Sequence, residues 1–290
     1  MTRTRATAIG FTAILLWSLL AVLTVATAPV PPFLLNAMTF AIGGAVGMVW
    51  VLRGAGIAVL RQVPARVYLM GTAGLFGYHA LYFAALRMAP PAEAGLIAYL
   101  WPLFIVLLSG LLPGERLGVA QLAGAALAFA GAALILTGGA GAGPRGPEAT
   151  TGLALAFLCA VTWAVYSVGS RRFGAVPTES VAVFCLATAA LSALVHLAVE
   201  TPAWPQGAGG WAAVAALGLG PVGLAFFTWD IGMKKGDIQL LGVASYAAPL
   251  LSTLVLVVAG RAPATQVLIL SAAMITAGAA LAARRRRSPA

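Results

Sequence analysis

Two short motifs at a fixed interval carry the chemistry this chain advertises first: Tyr99-Leu100-Trp101-Pro102 and, 147 residues further on, Tyr246-Ala247-Ala248-Pro249. Each proline falls inside an apolar stretch. Proline has no N–H, so the carbonyls of Ala98 and Ser245, one turn earlier, lose their helical donor. Within a bilayer such an interruption is tolerated only where protein or a wet cavity surrounds it. Matched interruptions in two halves of a chain point to a transport site near the membrane midplane. A packing kink is the other use of a membrane proline.

Aromatic and weakly polar side chains gather at the same depth. Trp17, Trp101 and Trp163 lie near the middle of apolar stretches. Trp163, Tyr166, Ser167 and Ser170 share one helical face through i+3 and i+4 spacing. Gly71, Gly74, Tyr78 and Tyr82 form a second stripe, with His79 at its edge. Together with Tyr99 and Tyr246, these rings offer wide π-faces with hydrogen-bonding tips, which suit a ring-bearing or thioether side chain. Ser167, Ser245 and the carbonyls released by Pro102 and Pro249 can meet an ammonium or carboxylate without a buried fixed charge. Hydrogen bonding between helices is the competing use of any one of these groups. His79 is a candidate proton carrier, and a facilitator driven by its substrate gradient fits equally well.

Other residues read as interfacial or structural. Trp50, Trp204, Trp211 and Trp229 lie near the ends of apolar stretches, where an aromatic belt is expected. His196 reads as an interfacial residue. The acidic Glu93 and Asp230 fall near stretch ends, and no Lys or Arg sits at mid-depth. A lipophilic cation or a nucleotide would want a buried counter-charge, which a zwitterion does not need. Gly-x-x-x-Gly steps, such as Gly43 to Gly47, allow close helix approach. Cys159 and Cys185 show no metal spacing and no CxxC, and read as small core residues. No GxSxG, HExxH, P-loop or paired intramembrane carboxylate is present. Neither an enzyme, a metal site nor a cofactor is therefore expected.

These residues need a membrane to position them. The chain has 290 residues, 61% hydrophobic and 8% charged, with a mean hydropathy of +0.99. Soluble domains carry about 25% charged residues, so lipid must be the outer solvent. The net charge of +10 gives no nucleic-acid surface, since Arg284, Arg285, Arg286 and Arg287 supply four of those charges without interleaved aromatics. Gly, Pro and charges divide the sequence into ten windows, at about 8–28, 32–52, 66–86, 91–112, 118–138, 151–170, 179–199, 211–231, 239–260 and 264–283. Arg3 and Arg5 before an apolar run ending Ala26-Thr27-Ala28 suggest a signal peptide. Yet that run of ~20 residues exceeds the usual ~7–15, and a retained first span is expected.

A Gly-, Ala- and Pro-rich linker over 139–150 separates five windows in 1–138 from five in 151–290. With a cytoplasmic N-terminus, the cytoplasmic segments hold Arg3, Arg5, Arg53, Arg61, Arg66, Arg116, Arg171, Arg172, Lys234, Lys235 and the four terminal arginines, 14 of the 17 Lys and Arg. Arg87, Arg145 and Arg261 fall on the other side. That split places both termini in the cytoplasm and the linker outside it. The 147-residue shift also lays Gly71 on Gly218, Gly95 on Gly242, and the ten residues 125–134 on 272–281 with seven identities. Two copies of five spans each must be inverted relative to one another. The expected fold is therefore an all-α membrane protein of ten transmembrane helices, arranged as two inverted five-helix repeats.

Ten spans, inverted halves, a basic inner loop after the second span and Tyr-x-x-Pro in the fourth resemble the drug/metabolite transporter superfamily, and within it the EamA family. Tyr78-His79-Ala80-Leu81-Tyr82 and Tyr99-Leu100-Trp101-Pro102 are similar to YddG-type exporters of aromatic and other neutral amino acids. The resemblance covers essentially the whole chain. It implies export across the bacterial inner membrane by alternating access, with a cavity among spans one, three, four, six, eight and nine. The expected partners are a small amino acid and the lipid bilayer. An exporter of hydrophobic drugs or other metabolites is the nearest alternative. A lipid-modifying membrane enzyme would need an interfacial acidic or nucleophilic cluster that the sequence lacks. A non-transporting scaffold would not need matched broken helices.

Overall fold

A computed structural model describes residues 1–89, 91–137, 148–258 and 265–282. The described residues contain helices and turns and no strand. The helices are α1 (Arg3–Trp17), α2 (Leu20–Ala26), α3 (Pro32–Arg53), α4 (Ala58–Arg61), α5 (Ala65–Met88), α6 (Pro91–Ala98), α7 (Trp101–Ser109), α8 (Val119–Thr137), α9 (Ala149–Arg172), α10 (Ser180–Val199), α11 (Gly207–Leu219), α12 (Ala225–Lys235), α13 (Ile238–Ala244), α14 (Ala247–Val258) and α15 (Gln266–Ala282). Most of the 139–150 linker, the four terminal arginines, Arg145, Arg261 and the Glu93 side chain lie outside the described residues.

Local chemistry sets several boundaries. The Thr2 hydroxyl accepts from Arg5 N–H and caps α1, while the Asp237 carboxylate accepts from Leu240 N–H at 3.1 Å and caps α13. Proline at the first position starts α3. Basic residues close α3, α5, α9 and α12, where the helix dipole and the membrane surface both favour cations.

Among the described residues, six stretches are long and apolar enough to cross a bilayer: Arg3–Ala26, Pro32–Arg53, Ala65–Met88, Ala149–Arg172, Ser180–Val199 and Gly207–Lys235. Val119–Leu134, Ile238–Ser252 and Ile269–Ala282 are shorter apolar helices. Leu69, Leu197 and Val258 point outward, more than 70% exposed, as lipid-facing residues should. This is a multi-pass helical membrane protein.

The most extensive helix pairings are α8 with α15, α3 with α10, α5 with α9 and α1 with α12, while α7 packs on α9 and α13. Small residues permit the tightest of them. A Cβ on Gly124 would stand 2.5 Å from the Gly278 carbonyl oxygen, and one on Gly278 would stand 2.6 Å from that of Gly124. Any larger residue at either place would push α8 and α15 apart.

Among the described residues, four places interrupt the long helices. Tyr99 and Leu100 separate α6 from α7, and Ser245 and Tyr246 separate α13 from α14. Ser18 and Leu19 divide α1 from α2, and a π-helical turn over Gly220–Leu224 joins α11 to α12. The first two interruptions fall where the proline motifs predict them. The other two were not anticipated, although Pro221 marks the π turn in the sequence.

Ionic networks tie both ends of the bundle. At the end where α1 begins, the Arg171 guanidinium pairs with Glu115 at 2.8 Å and donates to the Met233 and Gly236 carbonyls at 2.9 and 2.8 Å. Arg3 lies 3.5 Å from Glu115 and 3.2 Å from Asp237. At the opposite end, Glu200 accepts from Phe33 and Leu34 N–H and pairs with Arg87 and His196, each at 2.9 Å. His196 is thus a buried partner of a carboxylate rather than a residue reaching to the interface.

Candidate functional site

Four tryptophans from four elements close on one another. Trp17 is the last residue of α1 and Trp101 the first of α7, so both sit at helix interruptions. Trp163 comes from mid-α9 and Trp229 from α12. All six ring pairs lie in contact, from 5.0 Å between the Trp17 and Trp229 centroids to 6.4 Å between Trp163 and Trp229. Edge-on and tilted arrangements dominate, as the ring quadrupoles prefer.

Further rings extend the cluster. Tyr78 lies 5.3 Å from Trp163 and is stacked with Tyr82, and Tyr99 lies 6.4 Å from Trp101. Tyr166 is 5.3 Å from Trp163. Phe226 touches Trp17 and Trp163 and stacks on Phe40. His79 packs edge-on against Phe40, and its Nδ1 donates to the Leu75 carbonyl at 2.7 Å. Trp101, Trp163, Tyr166 and Trp229 are buried, whereas Trp17, Tyr78, His79, Tyr82 and Tyr99 are half-buried. The arrangement is a cup: sealed rings make its floor, and partly open rings its rim.

Hydrogen bonds fix two of the tryptophans. The Trp229 indole N–H donates to the Ser167 hydroxyl at 3.1 Å, and the Trp17 indole N–H donates to the Pro221 carbonyl at 3.1 Å. The second bond joins the end of α1 to the π turn. Here the Ala225 N–H reaches back five residues to the Gly220 carbonyl, and Trp229 and Phe226 follow directly.

The structure brings together Trp17, Tyr78, His79, Tyr82, Tyr99, Trp101, Trp163, Tyr166 and Ser167 from the sequence-predicted set. It places Ser245 and Tyr246 elsewhere. The Ser245 hydroxyl donates to the Leu241 carbonyl at 2.7 Å, and the Ser245 carbonyl, passed over by Pro249, accepts from Ala248 N–H at 3.0 Å. Tyr246 is fully buried in a separate core beside Phe129, where its hydroxyl accepts from Leu103 N–H at 3.0 Å. Pro102 and Pro249 belong to the frame of the site, since each follows an interruption.

Trp229 and Phe226 escaped sequence reasoning. Ending the eighth window near 231 put Trp229 in the interfacial belt, but the helix runs on to Lys235 and leaves Trp229 only 1% exposed. Asp230 is likewise buried within α12, paired with Lys234 at 2.8 Å and hydrogen-bonded by Thr178 at 2.7 Å. Pro221 was the available signal that this stretch is longer and irregular.

Comparison with known proteins follows the same lines. The pattern of the EamA-like transporter family matches residues 4–137 and again residues 150–284. The chain is 61% identical over 283 residues to the aromatic amino acid exporter YddG of Ancylobacter novellus, covering 97% of this chain and 98% of that protein. It is 28% identical to the aromatic amino acid exporter YddG of Salmonella typhimurium, across 99% of this chain and 100% of the other. A solved crystal structure with 59% identity superposes with a TM-score of 0.92, covering 97% of this chain and 98% of its own.

Proposed function

Since this chain belongs to the EamA-like transporter family, within the drug/metabolite transporter superfamily, we propose that it exports small neutral, chiefly aromatic, amino acids from the cytoplasm by alternating access. It is a membrane transporter and not an enzyme. A floor of Trp101, Trp163 and Trp229 under a half-open rim of Trp17, Tyr78, Tyr82 and Tyr99 carries this reading. Ring edges and faces at about 5–6 Å offer an aromatic side chain the partners it prefers. Asp230, the acidic residue next to Trp229, is already paired with Lys234, so a zwitterion meets no unpaired fixed charge from it. Its ammonium and carboxylate would be met by tyrosine hydroxyls and by the helix ends at the Tyr99–Leu100 interruption.

Alternating access needs a two-fold architecture, and the packing supports one of ten spans in two inverted halves, 1–138 and 151–290, joined by an extracytoplasmic linker at 139–150. Span one is α1–α2, two α3, three α5, four α6–α7, five α8, six α9, seven α10, eight α11–α12, nine α13–α14 and ten α15. Spans five and ten pack together, as do two and seven, and four and nine. Spans one and eight form one pair and three and six its counterpart. Exchanging each span for the one five places on leaves this set of contacts unchanged. At residue level, Gly124 meets Gly278, while Gly131 packs against the Ser271 carbonyl. The 147-residue shift lays Gly131 on Gly278 and Gly124 on Ser271. Both termini then face the cytoplasm of a bacterial inner membrane, on the side that the Arg171–Glu115 network ties together.

The test is uptake and counterflow of labelled phenylalanine, tryptophan and methionine in vesicles of purified protein. Saturable amino-acid movement is expected. Transport of lipophilic cations with no amino-acid movement would overturn the substrate reading. Repeating the assay with and without an imposed proton gradient separates a proton-coupled exporter using His79 from a facilitator.

A further inference from the structure

Where α9 and α12 end, a groove of about 490 Å³ opens beside the end of α7. Its lining divides in two: Leu111, Leu112 and Pro113 on one part, Arg171, Arg172 and Lys234 on the other. Leu111 is 70% exposed, an apolar side chain available to lipid when the bundle sits in a bilayer. Arg171 and Lys234 are anchored cations. Arg171 is held by Glu115 and two carbonyls, Lys234 by Asp230 and the Val176 carbonyl at 3.0 Å. Arg172 is exposed and has no ion-pair partner among the described residues. Three cations against the carboxylates of Glu115 and Asp230 leave one positive charge over. Arg66, with its guanidinium 5.7 Å over the ring of Phe173, the residue that follows Arg172, adds another cation at this end.

A basic groove between membrane helices, with an apolar lip toward lipid, has the chemistry of a headgroup site. Arginine suits phosphate in particular, because its planar fork offers parallel N–H donors. We propose that this groove binds the phosphate of an anionic glycerophospholipid, with Arg172 as its main ligand and Leu111 against the acyl chain. A water-borne phosphate has the same headgroup chemistry but no use for the lip. The inference depends on the bundle lying in a bilayer and not on which substrate the aromatic cup takes.

Lipid retention by the purified protein decides it. Protein in detergent is offered phosphatidylglycerol or phosphatidylcholine, and retained lipid is counted by native mass spectrometry. Phosphatidylglycerol is expected to be preferred. Arg172→Gln should lower its retention about tenfold, the loss of roughly one charge-assisted contact. Arg116→Gln removes another exposed cation from the same end but outside the groove, and should change nothing. Leu111→Gln should weaken phosphatidylglycerol retention as well. Equal losses in the two arginine variants would reveal diffuse charge attraction and overturn the site. So would displacement of the lipid by inorganic phosphate at matched concentration, which would make the groove a water-facing phosphate site. Melting temperatures equal to wild type are expected for all three variants, because each altered side chain is exposed.

Discussion

The Tyr246 hydroxyl receives the Leu103 N–H at 3.0 Å, so the tyrosine of one Tyr-x-x-Pro motif satisfies the backbone immediately after the proline of the other. The second half of the chain thereby completes the interruption in the first. Tyr246→Phe should leave the Leu103 N–H without that acceptor at membrane depth, costing about 1–3 kcal/mol. Thermal unfolding in detergent measures it, and an unchanged midpoint would show that the bond contributes nothing.

Trp101→Ala and Trp163→Ala should each lower export of aromatic amino acids while leaving expression intact. Losing one ring contact is worth on the order of 1–3 kcal/mol of binding. Efflux, or resistance to toxic amino-acid analogues, reads the effect. Unimpaired transport in both variants would move the site elsewhere.

Ser167→Ala deprives the buried Trp229 indole N–H of its acceptor and should cost about 1–3 kcal/mol. The apparent KM for phenylalanine should rise, since Trp229 touches the other three tryptophans. A Ser167→Thr variant, which restores a hydroxyl, should recover part of the loss; no recovery would exclude the hydrogen bond as the cause.

Arg171→Ala should loosen the end of the bundle where Glu115, Met233 and Gly236 converge on that guanidinium. With Cys159 and Cys185 replaced by alanine, a cysteine at the buried position Ala164 reports the opening through an impermeant maleimide added at that end. Labelling about tenfold faster than with Arg171 intact is expected, for about 1.4 kcal/mol of lost closure. Equal rates would remove the network from any gating role.

Gly143→Cys should react with an impermeant reagent only from the extracytoplasmic side, as the 14-to-3 charge split and the proposed five spans per half require. Reaction from the cytoplasm alone would reverse the topology and remove the inverted repeat with it.

The long helices, the proline interruptions and most rings of the cup were legible because they obey short-range rules. Hydropathy marked the stretches, Pro102 and Pro249 marked the breaks, and helical spacing aligned Trp163 with Tyr166 and Ser167. What stayed hidden was long-range. The Trp17 bond to Pro221 joins residues 204 apart in sequence, and the Leu103 bond to Tyr246 joins residues 143 apart. Trp229 was misplaced for a different reason. Lys234 carries its charge into the last turn of α12 beside Asp230, which lengthens the helix past the point where hydropathy says it ends. His196 was misplaced because Glu200, four residues on, supplies a partner that hydropathy does not see.

The four tryptophans of the cup already occupy one another's faces, and this makes the proposed site its own competitor. A ring that enters must first part rings that are in contact, so what it gains is the difference between two sets of similar aromatic contacts. Such an exchange has a small net free energy even though every contact in it is favourable. Loose holding suits the export proposed above, because a ligand gripped firmly would stay behind when the far side opens. The same self-filling leaves Trp101, Trp163 and Trp229 no more than 5% exposed.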